Sequence, residues 1–362
     1  MQSHGDQVRL LTPEGDYSLP GLTRHTYYSP GAILSGAGAP EYLKRRPVMG
    51  TFAGGVTSVG MLWRATSLVR PDEMFVAHWL IPSALAALAA GRRLCTPVHG
   101  YAHGSDIALL ERRGGRPLAR LIDRKVMGIT FVSEDLRDRY IACLGRPSET
   151  CLTVIPMGIT RAQPCEEYRR RIRSIAQGRR VISTIGRLVP IKGLDILLEA
   201  LVDAEDYVWC AAGEGPELDT LVQRARERGV EFVPLGVVSA EEREGLLAES
   251  DLFVQPSRCL DGRREGSPLA VVEAVAAGVP TIATATGGLV ALAEKSGAVL
   301  VQPDDVEDLA SAVKTLLGDD EICLNLREAH TRYGVRQTWD EIGKEHWAAV
   351  QASAARFRCA TP

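Results

Sequence analysis

Several things are missing from this 362-residue chain, and each absence removes a class of protein. Eight cysteines are present (Cys95, Cys143, Cys151, Cys165, Cys210, Cys259, Cys323 and Cys359). None forms a CxxC pair and none has a histidine at metal-ligand spacing, so a metal site is not expected and reduced thiols in a cytoplasmic protein are. No run of 18 apolar residues occurs and the start lacks a signal-peptide pattern, so any membrane contact would be peripheral. The Gly213-Glu214-Gly215-Pro216-Glu217-Leu218 stretch lacks the third glycine of a dinucleotide fingerprint, which disfavours a nicotinamide-dependent oxidoreductase. The net charge is only −3. That value names no partner, and no nucleic acid is expected among them.

What remains is an ordinary globular composition, 45% hydrophobic and 24% charged, at a length that favours two domains. Charge is unevenly placed: residues 1–158 hold 18 Lys and Arg against 13 Asp and Glu. Arg45-Arg46, Arg92-Arg93 and Arg112-Arg113 could meet anionic lipid or an acidic acceptor; a solvated face is the plainer reading.

The most informative segment is EGSPLAVVEAVAAGVP, Glu265 to Pro280. Ser267 is a good N-cap and Pro268 suits a first helical turn, while Gly278 and Pro280 end the helix, predicted over about 268–277. Free N–H groups and the positive dipole end of that helix can hold a diphosphate without a metal. Eight fully helical positions from Glu265 to Glu273 would rise about 12 Å. That exceeds the roughly 5 to 9.5 Å between hydrolytic carboxyl pairs. It suits two carboxylates gripping the two ends of one elongated ligand, such as hydroxyl-rich rings on either side of a diphosphate. Taken alone, each glutamate reads as a solvated carboxylate. The preceding strand SDLFVQP and Gly/Arg/Asp-rich loop place both at the carboxyl edge of a parallel sheet, where open α/β folds bind ligands.

From about residue 74, strand-like and helix-like runs alternate: MFVAHW, a helix from Ser83 to Gly91, PVHGYAHG, a helix near 115–125, GITFVS, a helix from 134, then CLTVIPMG. An Arg-rich segment from Thr160 to Arg180 reads as linker and leading helix. The alternation restarts with VISTIGRL and continues through YVWCAAG, EFVPLG, DLFVQP, PTIATA and AVLVQP, with helices at 194–203, 216–228 and 240–248 between. The expected fold is α/β, with two doubly wound, Rossmann-like parallel-sheet domains at 1–159 and 160–338. A last helix, from Trp339, crosses back to complete the first.

STIGRLVPIKGLDILLEAL, AAGEGPEL, the E-x7-E pair in EGSPLAVVEAVAAGVPTIA, and TGGL resemble the carboxyl-terminal domain of retaining glycosyltransferases of family 4, which have the GT-B fold. The likeness is dense over 181 to about 315. AHWLIPSALAAL, HGSDIALL, VSEDLRDR and VIPMGI resemble the same family's amino-terminal domain over about 76–159. The resemblance implies that Arg187 and Lys192 bind the donor diphosphate, that Glu265 contacts the transferred sugar and Glu273 the nucleoside ribose. Main-chain N–H groups from Gly266 through Ser267 and Pro268 to Leu269 would then surround the phosphates. Residue chemistry agrees: Gly186 lets backbone approach a ligand, Arg187 offers planar paired donors, and Lys192 is a point charge. Gly213 reads as a tight turn beside the nucleotide. His103 matches the family histidine that faces the donor sugar from the other domain; His99, upstream on the same strand, is a weaker candidate. Asp106 reads equally as a cap, and Ser133, before Glu134, as an N-cap near the cleft.

The implied reaction is retaining transfer from a UDP- or GDP-linked sugar to a hydroxyl acceptor, lipid-linked or otherwise, with no metal, no cofactor and no enzyme nucleophile. It rests on positioning and on domain closure. The sequence departs from the pattern at its start: HGDQVRLLTP aligns with a later segment, so the usual first strand and Gly-rich loop are expected to be absent. That keeps open a second reading, a weak or inactive nucleotide-sugar-binding partner. Gly54-Gly55 is a poor substitute loop. Met157 and Thr160 stand where the family commonly has Asn and an acidic residue.

Overall fold

The computed structural model describes residues 8–13, 23–27, 47–202, 206–260, 262–266 and 268–360. It is a mixed α/β protein that divides into two compact units. Unit 1 comprises Met1–Val132, Leu136–Ile155 and Lys344–Pro362; unit 2 comprises Ser133–Asp135 and Pro156–Gly343.

Unit 1 holds a parallel pair, β1 (Arg9–Pro13) and β2 (Thr23–Tyr27), and a separate four-stranded parallel sheet. The latter runs in sequence order: β3 (Phe75–His78), β4 (Val98–Ala102), β5 (Gly128–Phe131) and β6 (Cys151–Val154). Every residue of β4 and β5 is buried, as expected of parallel strands covered on both faces. Residues 47–68 form a 22-residue helix that the sequence reading missed. Gly54-Gly55 lies inside it and forms no substitute loop, in line with the sequence reading. The expected Ser83–Gly91 helix is a π-turn at Leu80–Ala84 followed by an α-helix at Leu85–Ala90. Gly5 to Gln7, at the start of the segment that aligns with a later part of the family pattern, and the Arg45-Arg46 pair lie outside the described residues.

Unit 2 is built on a six-stranded parallel sheet in the order β12-β11-β10-β7-β8-β9. The strands are β7 (Arg180–Ile185), β8 (Tyr207–Ala212), β9 (Phe232–Gly236), β10 (Leu252–Gln255), β11 (Thr281–Thr284) and β12 (Val299–Val301). From β7 the chain winds outward through β8 and β9, then returns to the other side of β7 for β10, β11 and β12. The direction therefore reverses between β7 and β10, and the crevice outside their carboxyl ends is where such sheets take ligands. Trp209, Ile182, Leu197, Leu198, Leu252 and Ile282 form the centre of one core, all fully buried. Ser239 caps the helix Ala240–Ala248 with a complete capping box through Glu242. The terminal helix is Trp339–Ala360, and its residues from Lys344 belong to unit 1.

Candidate functional site

Both loops leaving the switch point in unit 2 carry the expected charges. The loop after β7 contains Gly186, Arg187 and, in a short 3₁₀ turn, Lys192. The loop after β10 contains Ser257, Arg258 and Glu265. They interlock: the Arg258 N–H donates to the Ile191 carbonyl at 3.0 Å, and a Cβ on Gly193 would lie 2.0 Å from the Pro256 carbonyl oxygen. Lys192 Nζ meets Glu265 Oε1 at 2.7 Å, with each side chain about 15% exposed. Glu265 Oε1 also accepts from Ser257 Oγ at 3.3 Å, and Ser257 Oγ accepts from Gln255 Nε2 at 2.8 Å. Gln255 and Ser257 are buried, and Thr284 donates to the Ser257 carbonyl. A relay that starts inside the sheet therefore orients the carboxylate.

The Glu265 main chain is held as firmly. Gly288 N–H donates to the Glu265 carbonyl at 2.8 Å, and a Cβ on Gly288 would lie 2.0 Å from the Gly266 carbonyl oxygen. Gly287 and Gly288 thus form a clamp that only glycine permits. Their TGGL segment was visible in the sequence, but the role was not, because the partner backbone lies over 20 residues away.

The expected helix is Leu269–Ala276, shorter by one residue at each end. Pro268 is its N-cap, at φ −77° and ψ 91°, and not part of its first turn; the extended ψ delays the helix to Leu269. No side chain caps this end. Ser267, expected as the cap, lies outside the described residues. Gly278 at φ +73° ends the helix, as Gly278-Pro280 predicts.

Glu273 is not the solvated residue of the plainer reading. It is 9% exposed and its Oε1 meets Arg243 Nη2 at 3.2 Å. Burial pushes its carboxyl above the usual range, with Arg243 opposing the shift. Gly213, at φ +137°, follows β8 and donates its N–H to the Gly236 carbonyl at 2.7 Å. A Cβ there would sit 1.9 Å from the Gly186 carbonyl oxygen. Gly186, Lys192, Gly213, Glu265 and Gly266 thus belong to one set of strand-end loops, and Arg187 lies beside Gly186 in the same loop. Glu273 stands on the helix that follows, against Arg243.

His103 belongs to unit 1, just beyond β4. Its turn is pinned by Asp106, fully buried, whose Oδ1 accepts from the N–H groups of His103 at 3.2 Å and Gly104 at 2.9 Å, while Oδ2 accepts from Leu80 N–H at 2.9 Å. Asp106 therefore shapes the loop. His99 is removed from the candidates: its Nδ1 bonds Ser353 Oγ at 2.8 Å and its Nε2 bonds Thr130 Oγ1 at 2.9 Å, so both ring nitrogens are used in packing.

His78, His99 and His103 are each pushed down to about 4, burial being the main cause. The unfolded chain then binds more protons than the folded one between about pH 4 and 6.5, so stability rises with pH over that window. Lowering the pH from 6.5 towards 4 should depress the melting temperature of unit 1; for His99 alone the shift corresponds to about 3 kcal/mol. Thermal unfolding across that range checks it, and a flat profile would contradict it.

Among the described residues no group of three or more His, Cys, Asp or Glu side chains is arranged to hold a metal ion. Nor does any described helix have the length and apolarity to cross a membrane. Cysteines 95, 143, 151, 165, 210, 259 and 323 are free thiols.

Two Rossmann-like sheets and a charged switch-point crevice define the GT-B class, and comparison with known proteins specifies the family. Residues 166–333 match the model of glycosyl transferases group 1, and residues 1–158 match the glycosyl transferase 4-like domain. A GDP-mannose-dependent α-(1-6)-phosphatidylinositol monomannoside mannosyltransferase of Mycobacterium tuberculosis is 30% identical over 71% of this chain and 69% of its own length. The protein of the same description from Mycolicibacterium smegmatis is 33% identical over 65% of this chain and 63% of its own. A teichuronic acid biosynthesis glycosyltransferase assigned in Bacillus subtilis, TuaC, is 29% identical over 77% and 66%. The matches thus span about two thirds of these relatives. Among solved structures, Anabaena HepE in complex with UDP superposes with a TM-score of 0.70 at 17% identity, over 91% of this chain and 86% of that one. The sucrose-phosphate synthase of Thermosynechococcus elongatus gives 0.72 at 16%, over 98% and 91%. The chain belongs to the GT4-type glycosyltransferase family.

Proposed function

We propose that this chain transfers a sugar from a nucleoside-diphosphate donor to a hydroxyl acceptor with retention at the anomeric carbon and without a metal ion. One observation carries the reading: Lys192 and Glu265 meet at 2.7 Å across the two switch-point loops. A cation suited to a departing diphosphate and a carboxylate suited to sugar hydroxyls thus stand within one ligand's length. The bond from the anomeric carbon to the diphosphate oxygen breaks as that carbon bonds the acceptor oxygen on the same face. The acceptor's proton passes to the departing phosphate oxygen. Arg187 and Lys192 stabilise the charge that develops there, together with N–H groups near Gly266 and Leu269. Glu273 takes the ribose hydroxyls, and His103 acts on the transferred sugar.

GDP-mannose is the first donor to test, because two relatives at 30% identity or more carry that specificity in their names. The acceptor is a hydroxyl on a polyol or sugar, free or lipid-linked, reached on a peripheral surface by the basic first half. Donor alone should raise the melting temperature at concentrations above its Kd, since it binds only the folded state. Slow release of nucleoside diphosphate, absent in Glu265→Ala, supports the enzyme. A UDP-sugar that stabilises while GDP-mannose does not reassigns the donor. Tight binding without turnover under any acceptor mixture returns the reading to an inactive partner.

A further inference from the structure

We propose that His78 is a positioning residue for His103, holding its Nε2 and leaving Nδ1 as the nitrogen that meets substrate. The inference rests on the reading of His103 as a group that acts on the transferred sugar. His78 ends β3 and His103 lies just past β4, strands that pair in parallel with His78 opposite Tyr101. Adjacent strands deliver both imidazoles to the same sheet edge. Nδ1 of His78 lies 3.0 Å from Nε2 of His103. The rings are near-parallel, 19° apart with centroids at 5.2 Å, and His78 also stacks on Tyr101 at 4.9 Å and 12°. The Trp79 ring leans on His103 at 5.1 Å.

A 3.0 Å contact between two ring nitrogens is a hydrogen bond only if one carries the proton and the other the lone pair. Two facing N–H groups at 3.0 Å would repel, so the two rings take complementary tautomers across this contact. The tautomer of His103 is therefore set jointly with His78, and in either tautomer Nε2 is engaged. Nδ1 has no hydrogen-bond partner among the described residues. The neighbouring Trp79 adopts φ +67° and ψ 127°, a conformation costly for a residue with a Cβ. Such backbone persists where the surroundings over-determine it, here the turn that brings both His78 and Trp79 against His103.

Asn places its amide where Nδ1 of His stands, so His78→Asn can keep the bond to His103 whereas His78→Phe keeps only the stacking. With the full chain and its donor, His78→Phe should lower kcat about tenfold or more, with donor KM within about twofold; an orienting partner's loss typically costs 10-fold to 100-fold. His78→Asn should recover most of it. At position 103, His103→Asn should outperform His103→Gln for the same reason. Equal losses in His78→Phe and His78→Asn, or none in His78→Phe while His103→Ala is impaired, would overturn the positioning role alone. An unimpaired His103→Ala would overturn the parent reading of His103 and the proposal with it. Imidazole ¹⁵N spectra supply a readout independent of turnover: His78→Phe should move the Nε2 resonance of His103 more than Nδ1, and unmoved resonances would refute the bond.

Discussion

Replacing Glu265 by Gln is expected to lower kcat about 100-fold to 1,000-fold while donor KM changes only a fewfold. Gln preserves shape and the Ser257 contact but removes the charge. Lys192, 2.7 Å away, loses its anion and remains free to take the donor diphosphate, so ground-state binding is retained. What disappears is a carboxylate that strengthens its hold on the sugar hydroxyls as positive charge builds at the anomeric carbon, an interaction made chiefly in the transition state. Lys192→Ala should behave differently, raising donor KM and lowering kcat together. Because the two residues share one ion pair, the double variant should be less impaired than the product of the single effects. Steady-state kinetics on the three variants checks this, and a Glu265→Gln enzyme within threefold of the parent would remove Glu265 from the chemistry.

The reach of the sequence differed between the two units for a physical reason. Unit 2 announces itself through short buried strands such as LFVQ and TIAT, separated by helices with local stop and start chemistry: the Ser239 capping box, Gly229 at φ +72° and Gly278 at φ +73°. Each signal lies within a few residues of the structure it specifies. The 22-residue helix Pro47–Leu68 carries no acidic residue in its first turn, no basic residue in its last, and a glycine pair within it. Helix propensity is weak there, so tertiary packing decides and periodicity does not.

The candidate site shows the same division. Lys192 and Glu265 could be singled out because each lies in the loop that follows a strand, within motifs that resemble family 4, and both signals are local. What supports them is not local. Gln255 and Ser257 look like ordinary polar residues until the fold buries them beneath Glu265, and Gly287-Gly288 looks like a flexible pair until its backbone meets that of Gly266. Glu273 was legible as a helix residue, but it is buried and pairs with Arg243, which lies 30 positions upstream. His78 sat inside a quoted strand without a role, since only strand pairing brings it to His103.

Gly213→Ala is the structural substitution with the largest expected effect, about 2 to 6 kcal/mol off the stability of unit 2, together with weaker donor binding. Two costs combine. The residue stands at φ +137°, where a Cβ brings about 1 to 3 kcal/mol of strain. Its new methyl would also lie 1.9 Å from the Gly186 carbonyl oxygen, a backbone atom that can yield only if the strand end moves, which typically adds another 1 to 3 kcal/mol. Movement there is consequential because Gly186 N–H is itself bonded to the Ala212 carbonyl at 2.9 Å, and the chain running on from Gly186 carries Arg187 and Lys192. The clash therefore propagates into the cationic arm of the proposed site. Gly229→Ala supplies the control: it shares a positive φ, +72°, but a Cβ there meets nothing within 4 Å, so only the strain remains. Chemical denaturation of both variants, with donor titration, separates the contributions. Equal destabilisation of the two would mean that the close approach of Gly213 to Gly186 does not constrain the site.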